Sequence, residues 1–235
     1  MKKIRLYHVI LFVFIIVGFG ACTTARKVDK WVGKHYGPAV PQKIKSSDYI
    51  SFEIESPVAS PTASETKKTK KQLVPALLYW QWKNETTSTL NPFLQMQQFS
   101  NSFVAQANAK KLQQRLDGGS VKLTVKSHPA DFKMHEDGWF VFILIYYISG
   151  EKIYVEPANE NFSVDYTCTL GSGEVKKGTI SVPNPNKAKA PRFFQSLKGA
   201  INEYLTLNDT YTKQLAKDLL DKLLIELVDP VNTGN

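Results

Sequence analysis

Residues 139–148 read WFVFILIYYI, ten apolar positions in a row with Asp137 and Gly138 before them and Ser149, Gly150 and Glu151 after. A helix that crosses a bilayer needs roughly 20 apolar residues, so this run is too short to be one. Its density of β-branched and aromatic side chains predicts instead the central strand of a sheet, buried on both faces. The flanking segments alternate. Val121, Leu123 and Val125 stand against Lys122, Thr124 and Lys126, and Phe162, Val164, Tyr166, Cys168 and Leu170 against Ser163, Asp165, Thr167 and Thr169. Period 2 of this kind marks half-buried strands. With Gly150 and Glu151 as one turn, a short strand at 153–155, a second turn at Gly171, Ser172 and Gly173, and a return through Ile180 and Val182, the pattern predicts an antiparallel meander.

Working outward, residues 49–55 alternate Ile50, Phe52 and Ile54 with Ser51, Glu53 and Glu55, a further strand. Residues 56–72 combine two prolines, many Ser and Thr, and Lys67, Lys68, Lys70 and Lys71; this composition buries too little to offset its ordering entropy and predicts a mobile loop. ALLYWQWK at 76–83 reads as a strand with Leu78, Trp80 and Trp82 on one face. Asn91 and Pro92 supply an N-cap and a proline at the first helical position, which predicts a helix running to Leu116 and closed by Gly118 and Gly119. Two C-terminal helices are expected, 192–206 and 210–228, the second opened by Asn208 or Asp209. The fold class is therefore α+β: an antiparallel meander sheet packed against one internal helix and two C-terminal helices.

The chain has 235 residues, 43% of them hydrophobic and 22% charged, enough for a real core. Its N-terminus has three parts: basic Lys2, Lys3 and Arg5, an apolar run from Val9 to Val17, and small residues Gly18, Gly20 and Ala21. That layout predicts a secretory signal over residues 1–21. Phe19, Gly20, Ala21 and Cys22 resemble the bacterial lipobox, with Phe19 where an aliphatic residue is usual. The resemblance implies that Cys22 is acylated, carries palmitate-type chains and becomes the first residue of a membrane-anchored lipoprotein. Two or more chains make such an anchor stable, at about 0.8 kcal/mol per buried CH₂. Thr23 and Thr24 follow where an aspartate would retain a lipoprotein in the inner membrane, which by analogy implies the outer membrane, with the domain facing the periplasm. Losing Lys2, Lys3 and Arg5 with the signal lowers the net charge from +9 to +6, too mild for a nucleic-acid partner. Residues 22–47, basic and punctuated by Gly33, Gly37, Pro38 and Pro41, are expected to be a polar tether, with Trp31 and Tyr36 either at the membrane interface or on the domain. A single domain spans 48–230, and 231–235 form a disordered tail.

Chemistry is sparse. The sequence contains no Gly-x-Ser-x-Gly elbow, phosphate-binding glycine loop, His-Glu-x-x-His or Cys-x-x-Cys. His128, Asp131, His135, Glu136 and Asp137 have metal-ligand character within one polar turn; His128, His135 and Asp131 are the candidate ligands for a metal-binding protein or hydrolase, the alternative to a non-catalytic role. Cys168, on the apolar side of a strand, reads as a small buried hydrophobe. Tyr79, Trp80, Trp82, Trp139, Tyr146 and Tyr147 sit on or beside predicted strands, and a sheet face left uncovered would suit a lipid, glycolipid or partner protein. The order of elements around WFVFILIYYISGEKIYV resembles the small α+β lipoproteins that assist envelope transport, such as the lipopolysaccharide-assembly lipoprotein and auxiliary lipoproteins of lipid-transporting ABC systems. That resemblance implies a binding or assembly accessory that docks on a membrane complex or touches a lipid in transit, without cofactor or catalysis; it carries no functional residues over.

Overall fold

In the computed structural model, Val141 pairs with Ile148, Phe142 with Tyr147 and Ile143 with Tyr146, so the apolar run folds back on itself. The structure describes residues 24–37, 40, 43–44, 46–55, 62–76, 78–143, 146–158, 161–187, 192–193 and 195–228. In chain order its elements are α1 (Thr24–Tyr36), β1 (Ile50–Ile54), β2 (Ser64–Pro75), β3 (Tyr79–Leu90), α2 (Pro92–Ala109), α3 (Leu112–Arg115), β4 (Ser120–Ser127), β5 (Asp131–Ile143), β6 (Tyr146–Pro157), β7 (Asn161–Thr169), β8 (Val175–Pro183), β9 (Arg192–Phe193) and α4 (Leu197–Val228). The fold is α+β, and its strands divide between two sheets. Five antiparallel strands take the order β2-β3-β5-β6-β9; four take the order β1-β4-β7-β8, with β1 parallel to β4 and the rest antiparallel.

The expected central strand is thus the end of one hairpin, and the expected turn at Gly150 and Glu151 lies inside β6. Period counting cannot see this reversal. Its connection, residues 144–145, is Leu-Ile, without the Gly, Asn or Asp that ordinarily signals a hairpin.

Each sheet has its own apolar core. Ile50, Phe52, Val121, Leu123, Val125, Phe162, Val164 and Cys168 line one face of the four-stranded sheet and meet Met96, Phe99 and Phe103 of α2. Phe52 packs edge-on against both Phe99 and Phe103, an arrangement that suits the ring quadrupoles. The second core gathers Phe132, Met134, Ile153 and Val155 of the five-stranded sheet with Val28 and Val32 of α1. Asn91 caps α2 as expected, its Oδ1 accepting from the Phe93 N–H at 3.0 Å. That helix ends earlier than predicted, because Lys111 adopts the left-handed conformation (φ 55°) and starts the separate short turn of α3.

The two expected C-terminal helices are one helix of 32 residues, about 48 Å long. Its first half sends Ala200, Ile201, Tyr204 and Leu205 into the second core, and its second half sends Leu215, Ala216, Leu219, Leu220 and Leu223 into the first. Asn208 and Asp209, expected to open a new helix, have other employment. Asp209 Oδ2 lies 2.9 Å from His35 Nε2 and its Oδ1 accepts from the Tyr36 hydroxyl at 3.2 Å, which ties α1 to the middle of α4. Thr206, Thr210 and Thr212 donate back to the carbonyls four residues earlier, so their hydroxyls are engaged within one continuous helix instead of capping a fresh one.

Two segments read as mobile are ordered elements. Within the proposed tether, residues 24–36 form α1: Val28 and Val32 lie one turn apart and are fully buried, while Lys27, Lys30 and Lys34 point to solvent. Composition averaged the lysines over a stripe that helical spacing resolves. Asp29 Oδ1 accepts from Ser64 Oγ at 2.7 Å and Thr66 Oγ1 at 2.6 Å, fastening α1 to β2. Residues 64–72 of the proposed loop belong to β2, an edge strand paired with β3 along its length, with a register shift between Lys68 and Lys70. An edge strand needs little burial when its neighbour supplies the ladder, and its lysines discourage pairing with a further chain. Cys22, residues 1–21, 56–61 and 231–235 lie outside the described residues.

Because α4 serves both cores, the protein should unfold in one cooperative step. Leu219→Ala and Ile201→Ala should each lower stability by about 2–5 kcal/mol and shift the same single transition in urea. Two separate transitions, each sensitive to one variant, would contradict this arrangement.

Candidate functional site

Register pairing sorts the five-stranded sheet into two faces. Leu90, Ser88 and Thr86 of β3 share a face with Phe132 and Met134 of β5 and with Val155 and Ile153 of β6; this is the face that α1 and α4 cover. Farther along the same face come Asn84, Glu136 and Glu151, and beyond them an aromatic group. Trp80 stacks on Phe140 with ring centroids 5.6 Å apart, Trp82 lies 6.4 Å from the same ring, and Phe140 meets Phe142 edge-on at 5.4 Å. Trp82 lies flat across Gly138, where an added Cβ would fall 2.0 Å from the indole ring. On the opposite face Trp139 covers Gly150 in the same way, at 3.0 Å. The two glycines therefore provide the floors on which the two tryptophans rest.

Past this group the sheet ends in the open. Tyr146 is 70% exposed, Tyr147 69%, Leu78 54%, Ile148 53% and Ile143 50%, with Phe142, Leu73, Val74 and Tyr79 also exposed. Phe142, Tyr147 and Leu73 belong to the face that continues from the core, while Ile143, Tyr146, Ile148, Val141 and Tyr79 belong to the other. Both faces of the sheet's end are apolar. The β2–β3 and β5–β6 connections lie at the same end, since Tyr79 pairs with Val141 and the Phe142 N–H donates to the Leu78 carbonyl at 2.8 Å.

Of the sequence candidates, Tyr79, Trp80, Trp82, Trp139, Tyr146 and Tyr147 converge on this end, although the sequence placed most of them in a core or on the side of a sheet. The signal was present: the apolar runs at 76–80 and 139–148 are of the kind expected to be buried, and their becoming an exposed end depends on the pairing of Ile143 with Tyr146.

The polar turn proposed at 128–137 is mostly strand. From Asp131 onward it belongs to β5, which sends Asp131, His135 and Asp137 to one face and Glu136 to the other. Asp131 and His135 are four residues apart along an extended chain, about 13 Å, so the geometry does not bring them to one ion. His135 instead stacks on Tyr154 at 4.4 Å and places its Nε2 2.9 Å from Glu156 Oε1. His128 precedes the strand, and burial lowers its pKa, with the Asp131 charge acting in the opposite sense. Among the described residues no three His, Cys, Asp or Glu side chains stand together as a metal-holding group. Cys168 is fully buried, and burial, aided by the Glu226 charge, pushes its thiol up to about 12, which leaves no thiolate at neutral pH.

A cavity of about 20 Å³ is lined by Tyr154, Asn186, Arg192, Gln195, Glu203 and Tyr204 and has room for a water molecule only. Sites for organic ligands run to several hundred Å³. No family model, curated protein or solved structure matches the chain. The features that stand out chemically are the aromatic end of the sheet and the polar residues that separate it from the core.

Glu136 gives that boundary a pH dependence. Burial raises its pKa and the Glu151 charge adds to the rise, against the opposing influence of Lys68 and a hydrogen bond from Asn84. A carboxyl raised in the folded state contributes its stability in full below the ordinary carboxylate pKa and loses it as pH climbs through the raised value. Glu136→Gln should accordingly raise the urea midpoint near about pH 7 and leave it close to wild type near about pH 4. A variant less stable than wild type at neutral pH would contradict this assignment.

Proposed function

We propose that this protein is a lipoprotein anchored through Cys22 in the outer membrane, facing the periplasm, and that its domain is a non-catalytic binding module for envelope assembly or transport. The observation that carries the binding role is the exposed apolar end of the five-stranded sheet. Soluble monomers seldom leave a large contiguous apolar patch uncovered unless something binds there. Here the patch comprises the ends of two hairpins held rigidly by four paired strands, so no ordering is required before contact. The lipobox-like segment supplies the anchor and hence the compartment; an apolar patch held at a membrane has lipid and membrane-protein surfaces within reach.

Labelled palmitate should enter the wild-type protein and not Cys22→Ala. A photo-crosslinking residue placed at Tyr147 should capture an envelope component in intact cells, while the same residue at Thr89, on β3 at the opposite end of the sheet, should capture far less. Equal palmitate incorporation by the alanine variant would contradict the anchor, and equal capture from both positions would contradict the binding role of the sheet's end.

A further inference from the structure

The apolar end of the five-stranded sheet has three properties that together select its occupant. First, it is apolar on both faces: Tyr147 and Phe142 emerge on one, Tyr146 and Ile143 on the other. A groove on a partner protein or an edge-to-edge contact covers one face or one edge, whereas a bilayer surrounds an inserted end on every side. Second, the exposed rings are largely Tyr and Trp, whose amphipathic rings settle at the headgroup level of a membrane. Third, cationic side chains lie on β2 and β3 behind the aromatic end. Lys70 and Lys71 are exposed on β2, Lys83 on β3, and none of the three forms an ion pair among the described residues. Lysines so placed attract anionic headgroups at about 1 kcal/mol each near the surface.

The free backbone edges of β2 and β6 cannot be taken into hydrocarbon, because their unpaired N–H and C=O groups would have no partner there. Entry therefore stops at the headgroup and acyl boundary, where apolar faces of interfacial segments reach about 5–10 Å.

Resting on the reading of this end as the binding surface, we propose that its occupant is an anionic lipid bilayer, and that the β2–β3 and β5–β6 hairpin ends dip into it side by side. The end then acts as a second membrane contact, separate from the acyl chains. It sets the orientation of the domain on the surface, with the five strands steeply inclined to it.

The test uses the full-length Cys22→Ser chain reconstituted into vesicles, so that no acyl anchor is needed and the fully buried Cys168 does not react. A polarity-sensitive fluorophore is attached in turn at Tyr147→Cys, at Tyr146→Cys and, as a control, at Thr89→Cys. With phosphatidylglycerol-containing vesicles the labels at 146 and 147 should both shift to shorter wavelength and be quenched by nitroxide lipids labelled near the headgroup, while the label at 89 keeps its aqueous spectrum. The shift should shrink on purely zwitterionic vesicles. Aqueous spectra at 146 and 147 on the anionic vesicles would overturn the proposal, as would burial of only one of the two, which indicates a protein groove. A shift without vesicles that grows with protein concentration would also overturn it, by making a second copy the occupant. None of these results bears on whether Cys22 is acylated, so failure here is distinct from failure of the anchor.

Discussion

The pairing of Val141 with Ile148 is the constraint on which the rest depends. Because the ten-residue apolar run turns back between Ile143 and Tyr146, its two halves satisfy each other's backbone groups and carry its apolar side chains to the end of the sheet. The half nearer the core joins the aromatic group around Phe140, and the half nearer the connection is exposed, uncovered by the helices of the described residues. Had the same run continued straight, it would have formed a central strand with an apolar surface to bury on both sides. It would then have left no exposed end and no surface for a ligand. Trp82 on Gly138 and Trp139 on Gly150 brace the hairpin from opposite faces, replacing the side chains those glycines lack with large rings from neighbouring positions.

The same end can be open because the rest of the molecule is held from elsewhere. One long helix contributes to both cores, and α1 is locked across it by the carboxylate of Asp209, which receives both His35 and Tyr36. A second carboxylate, Asp29, ties α1 to β2 through two hydroxyls. Burial raises the Tyr36 pKa far above its ordinary value, so the phenol remains a donor to Asp209 throughout the physiological range. These polar locks lie in the half of the sheet covered by helices. The uncovered half carries none of the packing that joins the two cores, so it is available for contact without a cost to their union.

The sequence revealed most of the individual elements and the α+β class, and it missed their division between sheets. Alternation identified β1, β4, β7 and β8 because each has one buried face, and a capped start identified α2 because Asn91 and Pro92 are local signals. What it lost were the features that tertiary structure decides. A lysine-rich stretch becomes strand β2 because β3 offers it a ladder, and a helix runs through Asn208 and Asp209, with Asp209 engaged across the interface by His35 and Tyr36. The aromatic residues of the candidate site were all visible, whereas their exposure was not, since it follows from the pairing of Ile143 with Tyr146 in a stretch of sequence that carries no turn residue. The metal-type residues of 128–137 were misread for the converse reason: an acidic and histidine-rich segment looked like a turn until its pairing with β3 spread its side chains over two faces.

Among the described residues the cavity lined by Tyr154 and Tyr204 has room for a water molecule only, and Cys168 is buried and protonated. The whole account rests on the hairpin register, and a Phe142→Cys/Tyr147→Cys double variant tests it most directly. In the paired arrangement the two Cα atoms face each other across β5 and β6, within disulfide reach, whereas in one continuous strand they would stand about 17 Å apart. Mild oxidation should close an intramolecular disulfide with the fold retained. If the two thiols stay reduced in the folded protein, the apolar run does not turn back and the exposed end does not exist.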